Sequence, residues 1–408
     1  MTAPTPPNHQ NWMIVAFGFL ALSLAFSTRA ALGLVMPVWQ SEFGWSSSFI
    51  SGVGATALIV MAIVAPFAGR LADQKGPRFA ISLGLLCIGI GSTIVAVANN
   101  PIVFLIGFGG FSAIGFGIVA THVISTAVVR SFESKQGLAV GIATSGATGG
   151  QFLIVPLFAG LLTYASWRWG FAALAISSFL LVPCIIWFMA RSQIKSPPNH
   201  SAKNNQTSLA EDIKFVLSKP AFHILFWSFL ICGFTTTGII ETHFLPYASF
   251  CGFPPIASAT AYCVLSGINL IGMIIAGWLT DRVNRQLLLA SIYILRALTF
   301  ALLSTVSGAD IESLFLFSIL FGAVDYSTVP VTVSLAVSHV GRRVIGLTMG
   351  LISAGHALGG ALGTLYGGNI FDATGNYELV WSTALWLAVG AGALVLLLPG
   401  NTPQTEPA

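Results

Sequence analysis

The sequence predicts an all-α polytopic membrane protein, with twelve transmembrane helices arranged as two six-helix bundles. Three observations support this prediction: the composition, the length of the apolar stretches and an internal repeat. Of the 408 residues, 55% are hydrophobic and only 7% are charged, whereas a soluble domain is about a quarter charged. So few charges cannot cover a water-exposed surface, which argues against a soluble protein. The net charge of +4 gives no reason to expect a nucleic-acid partner.

Each predicted span is an apolar stretch of about 20 residues or more, which is long enough to cross the hydrocarbon core of a lipid bilayer. A polar stretch, 191–220, divides the spans six and six, so we predict bundles at 1–190 and 221–408 joined by a linker. Within the linker a short helix is expected from Asp212 to Leu217. Spans 1 to 12 are predicted at 13–38, 47–69, 79–98, 101–129, 137–164, 170–190, 221–249, 257–280, 286–307, 313–340, 346–370 and 378–399.

The basic residues predict the orientation of the chain. With the N-terminus inside, all 17 Lys and Arg residues except Arg29, Arg168 and Arg296 fall in inside loops. Because basic loops stay on the cytoplasmic side, both termini and the linker are expected there, in a plasma (cell inner) membrane. The five cysteines show no metal-site or disulfide spacing. We expect a monomer with no cofactor and no metal.

Two loops repeat half a chain apart. Gly69–Arg78 closes span 2 and Ala276–Arg285 closes span 8, and each has a Gly and an Asp four residues apart followed by basic residues. The two aspartates, Asp73 and Asp281, are 208 residues apart. Two related halves in a polytopic protein are typical of transporters built from internal repeats.

The repeat extends to other glycines. Gly44 and Gly252 each lie 29 residues before one of the two aspartates. Spans 5 and 11 begin with the similar segments Gly137–Gly146 and Gly346–Gly355, offset by 209 residues. Small residues at these spacings allow two helices to approach closely.

The motif loops also suggest a mechanical role. Asp73 and Asp281 lie at span ends near the N-termini of following helices, where a carboxylate favours the helix dipole and can pair with an Arg of a neighbouring helix. Such a cluster would latch the inner side shut, although basic residues that only anchor the topology would look similar. The predicted latch comprises Gly69, Asp73, Arg78, Gly277, Asp281 and Arg282.

The two loops resemble the loop motif of the major facilitator superfamily, Gly-x-x-x-Asp-(Arg/Lys)-x-Gly-Arg-(Arg/Lys), found between spans 2 and 3 and between spans 8 and 9. The first copy departs from it at Gln74, where a basic residue is usual, and the second has Asn284 in the glycine position. The resemblance covers essentially the whole chain. It implies the facilitator fold, in which spans 1, 4, 7 and 10 line a central cavity.

A narrower resemblance points to the monocarboxylate and oxalate/formate-type carriers. It rests on Glu42–Ser46 after span 1, on Phe132–Gly146 at span 5 and on the pair Trp167-Arg168. Many monocarboxylate carriers also pair an Asp with an Arg in span 8. Here Ala261–Leu279 contains no charge, which puts proton coupling by that route in doubt.

Ionisable residues inside spans cost about 2.5–3.5 kcal/mol each at a helix centre, so they are functional candidates by default. One falls in each of the four spans that the resemblance assigns to the cavity: Arg29, His122, Glu241 and Asp325. We predict that these four bind substrate, together with two neighbouring side chains, His243 and Tyr326.

The residue types suggest distinct roles. Arg29 suits an anionic group, above all a carboxylate, because its guanidinium is a fork of donors. Glu241 or Asp325 would carry a proton, since burial favours a neutral carboxyl group, and Asp325 is favoured as the deeper. His122 and His243 compete for that role.

Structural interpretations stay open for the same residues. Arg29 could pair with an acidic residue, His122 could be a neutral hydrogen-bonded core residue, and Tyr326 could be packing. Arg296 in span 9 is expected to snorkel or pair structurally. His356 in span 11 is expected to form a contact between helices.

The sequence thus predicts a secondary active transporter that moves a small organic anion, with carboxylate preferred, by alternating access, and proton symport would give it a simple driving force. The rival is a proton-coupled efflux antiporter for apolar or cationic compounds. The antiporter motif belongs at Gly141–Gly150, but Ser145 and Gly146 stand where Gly and Pro are expected. An enzyme is not expected, because no nucleophile–base pair, metal cluster or nucleotide loop stands out.

Overall fold

The structure, a computed structural model, describes residues 9–45, 47–132, 134–191, 208–306 and 311–398, and every regular element among them is a helix. Most of the predicted linker, 192–207, and the tail from 399 lie outside these residues. The first half contains His9–Phe43, Ser47–Lys75, Pro77–Ala96, Pro101–Phe104, a π-helix Leu105–Ser112, Ala113–Ile118, Thr121–Ser131, Gln136–Thr144, Gly146–Tyr164 and Trp167–Arg191.

A short linker helix, Leu209–Leu217, precedes the second half and confirms the helix predicted there. It begins with a reciprocal cap between Ser208 and Glu211, which satisfies two backbone donors at its N-terminus. The second half then contains Pro220–Gly233, a π-helix Phe234–Ile240, Glu241–Phe250, Pro255–Thr280, Arg285–Leu303, Ile311–Val324, Thr328–Val340, Ile345–Thr374 and Glu378–Val395.

These helices confirm the predicted fold class. In the described part of the chain, 11 helical segments are long and apolar enough to cross a membrane. The remaining predicted span, span 5, is present as two consecutive helices, Gln136–Thr144 and Gly146–Tyr164, that break at Ser145. Spans 4 and 10 are also broken, at Val119-Ala120 and between Val324 and Thr328.

The repeat seen in the sequence is visible in the packing. Within the first bundle span 1 packs on span 5 and span 3 on span 6, while within the second span 7 packs on span 11 and span 9 on span 12. Between the bundles, span 2 packs on span 11 and span 5 on span 8. Each half thus presents its second and fifth spans to the other.

The repeated glycines Gly44 and Gly252 occupy equivalent turns after spans 1 and 7. Both have a left-handed backbone, with φ of 67° and 85°, a conformation that glycine adopts without steric cost. Their equal spacing from Asp73 and Asp281 therefore reflects the same turn built twice.

Candidate functional site

A cavity of about 830 Å³, counting the space open to solvent, lies between the two bundles. Its wall is mainly apolar and includes Phe26, Met61, Phe116 and Phe229. Polar side chains from both halves project into it. They are Arg29, Thr121 and His122 from the first half and Thr237, Tyr326, Ser353 and His356 from the second.

Arg29 provides the positive charge of the cavity. Its guanidinium stacks on the Phe26 ring, 4.5 Å from the ring centroid, and the residue is half-buried. Among the described residues it makes no hydrogen bond and no ion pair, so the alternative of a structural pair with Glu241 or Asp325 is not formed in this conformation. A guanidinium held by an aromatic ring keeps its donors available to a ligand.

Breaks in two spans shape the middle of the cavity. The break in span 4 at Val119-Ala120 leads directly to Thr121 and His122, and the break in span 10 includes Asp325 and Tyr326. Discontinuous helices line the substrate sites of many transporters, because their free backbone groups can face a polar cavity. The sequence placed ionisable residues here but gave no signal for the breaks.

Glu241 reaches the cavity through Tyr326. The Tyr326 hydroxyl donates to Glu241 Oε1 at 2.8 Å, which joins span 10 to span 7. Glu241 is half-buried and begins the helix that follows the π-helix of span 7. This pair satisfies the tyrosine hydroxyl, so Tyr326 is more than a packing residue.

Asp325 does not line the cavity. It is 3% exposed, and its Oδ2 accepts a hydrogen bond from Asn269 Nδ2 of span 8 at 3.0 Å. Asn269 Oδ1 in turn accepts from the Tyr326 amide at 3.1 Å. Asn269 therefore joins span 8 to the break of span 10.

Arg296 completes this buried network. It is fully buried and donates to the backbone carbonyls of Val324 and Asp325, the first at 2.9 Å. It also donates to Cys232 Sγ at 3.0 Å and to Thr235 Oγ1 at 3.2 Å in span 7. The guanidinium is thus held structurally inside the second bundle and does not snorkel.

The histidines occupy different settings. His122 is buried in the cavity wall with the Ala65 carbonyl of span 2 close by. His356 lies against the Tyr326 ring, with centroids 6.4 Å apart. His243, in contrast, is not part of the cavity wall: it faces span 11, where its Nε2 lies 3.1 Å from the Thr364 carbonyl. His356 is therefore a cavity residue that the sequence assigned only to helix packing.

The first motif loop binds the other bundle directly. Asp73 Oδ1 and Oδ2 accept hydrogen bonds from the amides of Gly346 and Leu347, at 2.9 and 2.8 Å. These amides open span 11, so the carboxylate sits at a helix N-terminus, where it is favoured. Asp73 also pairs with Arg130 Nη2 at 2.5 Å, and both side chains are 8% exposed.

The second motif loop repeats the backbone geometry. Asp281 accepts from the amides of Gly137 and Leu138, at 2.8 and 2.9 Å, at the start of span 5. Each aspartate therefore caps the fifth span of the opposite half rather than the helix that follows it. We call the end of the molecule that carries these two loops the loop end.

Glycines make the close approach at the loop end possible. A Cβ on Gly69 would lie 1.9 Å from the Gly346 carbonyl oxygen, and one on Gly277 would lie 2.4 Å from that of Gly137. No larger residue fits at these positions while the bundles are in contact. The two bundles are thus closed against each other at the loop end.

Two predicted latch residues do not join these contacts. Arg78 makes no hydrogen bond or ion pair with a described residue. Arg282 stacks on the Trp278 ring of its own bundle, 4.0 Å from the centroid. The basic partner of Asp73 is Arg130, which the sequence analysis treated only as a loop cation.

The linker helix adds a further contact. Its Asp212 carboxylate lies 3.0 Å from Arg70 Nη1 of the first bundle and 2.8 Å from Arg343 Nη1 of the second. One carboxylate thus joins the linker to both bundles at the loop end. The separations of 142 and 131 residues explain why the sequence gave no sign of it.

At the opposite end, Glu42 ties span 1 to span 6. It accepts from Arg168 Nη1 at 2.8 Å and from Trp167 Nε1 at 2.7 Å. Arg168 and Trp167 lower the pKa of the Glu42 carboxyl, against the opposing effect of desolvation. Glu42 and the Trp167-Arg168 pair, from two of the three segments of the narrower family resemblance, therefore form one cluster in the first bundle.

Comparison with known proteins places this architecture in a family. Residues 18–364 and 269–408 match the sequence model described as the Major Facilitator Superfamily. The chain is 26% identical over 395 residues to the uncharacterized MFS-type transporter YcxA of Bacillus subtilis (strain 168), covering 95% of each chain. It is 24% identical to Monocarboxylate transporter 13 of Bos taurus, over 97% of this chain and 91% of that one.

Solved structures share the fold. The proton:xylose symporter XylE superposes with a TM-score of 0.71 at 16% identity, over 96% of this chain and 95% of that one. The human organic anion transporter MFSD10 gives a TM-score of 0.66 at 18% identity, over 96% and 100%. These relatives are transporters and not enzymes, in agreement with the prediction. The chain belongs to the Major Facilitator Superfamily and is a multi-pass membrane transporter.

Proposed function

We propose that this transporter carries a small organic anion, with carboxylate the preferred group. The observation that carries the proposal is the Arg29 guanidinium, which stands in the cavity between the bundles with no anionic partner among the described residues. A fork of N–H donors binds a carboxylate through two parallel hydrogen bonds. The apolar wall around it suits the carbon skeleton of such an anion.

The proposed mechanism is alternating access. The bundles 1–190 and 221–408 rock about the cavity, and the Asp73 and Asp281 contacts hold the loop end shut in the present conformation. With the basic loops in the cytoplasm, this is an outward-facing state of a monomer in the plasma (cell inner) membrane, with both termini cytoplasmic. Substrate would enter from outside and leave after the two capping contacts separate.

We further propose proton symport. A carboxyl group in the second bundle, Glu241 or Asp325, takes up a proton while the cavity is open, which removes its repulsion of the bound anion. His122 is the remaining titratable side chain of the first-half wall. The names of the solved relatives, a proton:xylose symporter and an organic anion transporter, support coupling and anion transport for those proteins.

The test is uptake into proteoliposomes. Labelled mono- and dicarboxylates of increasing size are offered with and without an inward proton gradient. We expect accumulation of at least one carboxylate that depends on the gradient and collapses when a protonophore is added. A panel in which no carboxylate accumulates would overturn the proposal.

A second candidate, proton-coupled efflux of apolar or cationic compounds, is favoured by one observation: four large apolar side chains, Phe26, Met61, Phe116 and Phe229, line the cavity. The same vesicles distinguish the two functions. Export of a lipophilic cation from the vesicles against its own concentration gradient, driven by an inward proton gradient, would support efflux. The positive Arg29 in the cavity leads us to expect no such transport.

A further inference from the structure

Two acidic side chains, Glu241 and Asp325, lie inside the predicted spans of the second bundle, and the structure gives them different surroundings. Glu241 is half-buried, and its partner Tyr326 lines the cavity. Asp325 is 3% exposed and lies behind the cavity wall. Adjacent in the fold, they need not share one role.

Asp325 is built into the interior through fixed partners. Its carboxylate accepts from Asn269 of span 8 at 3.0 Å, and its backbone carbonyl accepts from the Arg296 guanidinium of span 9. Arg296 is fully buried and bound on its other side to Cys232 and Thr235 of span 7. A buried permanent cation requires a nearby negative charge, because an isolated charge is very costly in a membrane interior.

Charged and titratable groups from spans 7, 8 and 9 face Asp325. Arg296 is the cation, Glu241 and Cys232 come from span 7 and Tyr262 from span 8. The Arg296 guanidinium contacts the backbone carbonyl of Asp325 and not its carboxylate. A proton taken up by Asp325 would still remove a negative charge from the surroundings of Arg296, so the charges of the two side chains are coupled through space.

Glu241 has the opposite character. Its direct partner is a phenol, which is uncharged. Glu241, Asp325 and the cavity cation Arg29 all lie close enough to Tyr326 and Tyr262 to act on their hydroxyl groups. The neighbouring His243 points away, to the Thr364 carbonyl of span 11. A change in the charge of Glu241 is therefore felt in the cavity, beside the Arg29 site.

We infer that Asp325 is the permanent buried counter-charge of Arg296, and that Glu241, held by Tyr326, is the group that takes up the coupling proton. This inference rests on the proposed proton–anion symport and assigns its coupling residue. Arg296 is then a positioning residue, which holds the break of span 10 and with it Tyr326. The order favoured from the sequence, with Asp325 as proton carrier because it is deeper, is reversed.

The test compares single and paired neutral variants in proteoliposomes. Asp325→Asn and Arg296→Gln each leave one buried charge without its counterpart, so both should give little folded transporter. The double variant Asp325→Asn/Arg296→Gln removes both charges, and we expect more folded transporter than from either single variant, with gradient-driven accumulation in proportion to its substrate counterflow, because the two losses are coupled. If the double variant folds and exchanges substrate but cannot accumulate it, Asp325 carries the proton and the inference is overturned.

Glu241 is tested independently of that pair. Glu241→Gln should keep substrate counterflow and lose gradient-driven accumulation, because a neutral amide imitates the protonated acid and cannot titrate. Glu241→Asp, the matched control, should retain some accumulation. Accumulation that survives in Glu241→Gln would overturn the inference even if the double variant failed to fold.

The failure of the inference is distinguishable from that of the proposed function. If the unmodified protein accumulates no carboxylate on a proton gradient, proton–anion symport itself is overturned, and the coupling assignment with it. If it does accumulate one and the variants behave otherwise than stated, only the assignment is overturned.

Discussion

The two motif loops make the same contact with the opposite bundle, but with different strength. Asp73 and Asp281 each cap two amides of the opposite fifth span at nearly equal distances. Asp73, however, is largely buried and paired with Arg130, whereas Asp281 is exposed. At the position of Arg130 the second half has His339, whose Nδ1 lies 2.9 Å from the Leu335 carbonyl. The repeat thus preserves backbone geometry, while among the described residues only the first copy has an ion pair at its aspartate.

This asymmetry indicates which contact dominates the closed state. An exposed carboxylate at a helix N-terminus contributes about 0.3–1 kcal/mol. A charged hydrogen bond shielded from water contributes about 1.5–3 kcal/mol. The first copy should therefore hold the loop end shut more firmly than the second.

The largest effect should come from a larger side chain at Gly346, where the two bundles approach each other most closely. A Cβ on Gly346 would lie 2.2 Å from the Gly69 carbonyl oxygen, and neither backbone can move without separating the bundles. We expect Gly346→Val to destabilise the closed loop end by roughly 3 kcal/mol or more, with faster hydrogen exchange at residues 346–350. Gly368→Val is the control, because a Cβ there meets nothing within 4 Å. Equal exchange in the two variants would contradict the close packing.

The comparison of the two loops is sharpest in Asp73→Asn against Asp281→Asn. The first leaves Arg130 without its counter-charge, so we expect a loss of about 2 kcal/mol and a clear fall in the maximal transport rate, with substrate affinity little changed. The second should cost about 0.5 kcal/mol. Hydrogen exchange at the amides of Gly346 and Gly137 reports each cap separately. If the two variants opened the loop end equally, the asymmetry would have no energetic meaning.

The linker helix should stabilise the closed loop end by a smaller amount than the motif loops. Asp212→Asn weakens its contacts with Arg70 and Arg343, of which Arg343 is 56% exposed, so we expect about 1 kcal/mol or less. Exchange at the start of span 11 should rise modestly. Glu211→Gln is the matched control, since glutamine can still close the helix cap on Ser208. An effect as large as that of Asp73→Asn would show that the linker, and not the motif loop, holds the bundles.

The smallest effect should come from the partly exposed Glu42–Arg168 ion pair at the other end of the first bundle. Glu42 has a lowered pKa because of Arg168 and Trp167, so its contribution to stability is present above its unfolded-state pKa and is lost as the pH falls through the folded value. The pair with Arg168 is about one-third exposed on both sides, so we expect less than about 1 kcal/mol. The melting temperature of Glu42→Gln should fall below that of the original protein at neutral pH, and the difference should shrink as the pH falls below about 4. A deficit that persists at acid pH would contradict the ionic account.

The sequence predicted the periodic and repeated features well. Apolar stretches of span length, the paired loops and the positions of Arg29 and Glu241 are all local properties of the chain. The equal spacing of Gly44 and Gly252 from the two aspartates marked them as repeated positions, and the structure shows that both form left-handed turns.

The sequence could not predict contacts between segments that are far apart in the chain. The partner of Asp73, Arg130, is 57 residues away, and its role depends on how span 4 ends beside span 2. The break in span 10 is held by tertiary hydrogen bonds from Arg296 and Asn269, which no local pattern encodes. The sequence ranked Asp325 above Glu241 by depth alone, because burial behind the cavity wall is set by packing.

The central claim is that Arg29 binds the transported anion, and a direct measurement of substrate affinity tests it. Affinity for the best carboxylate of the uptake panel is compared among Arg29→Lys, Arg29→Gln and the exposed control Arg342→Gln. Because lysine keeps the charge but loses the fork, we expect Arg29→Lys to weaken binding by about tenfold and Arg29→Gln by about a hundredfold, equivalent to some 1.4 and 2.8 kcal/mol. The control should bind normally. Unchanged affinity in Arg29→Gln would contradict the account.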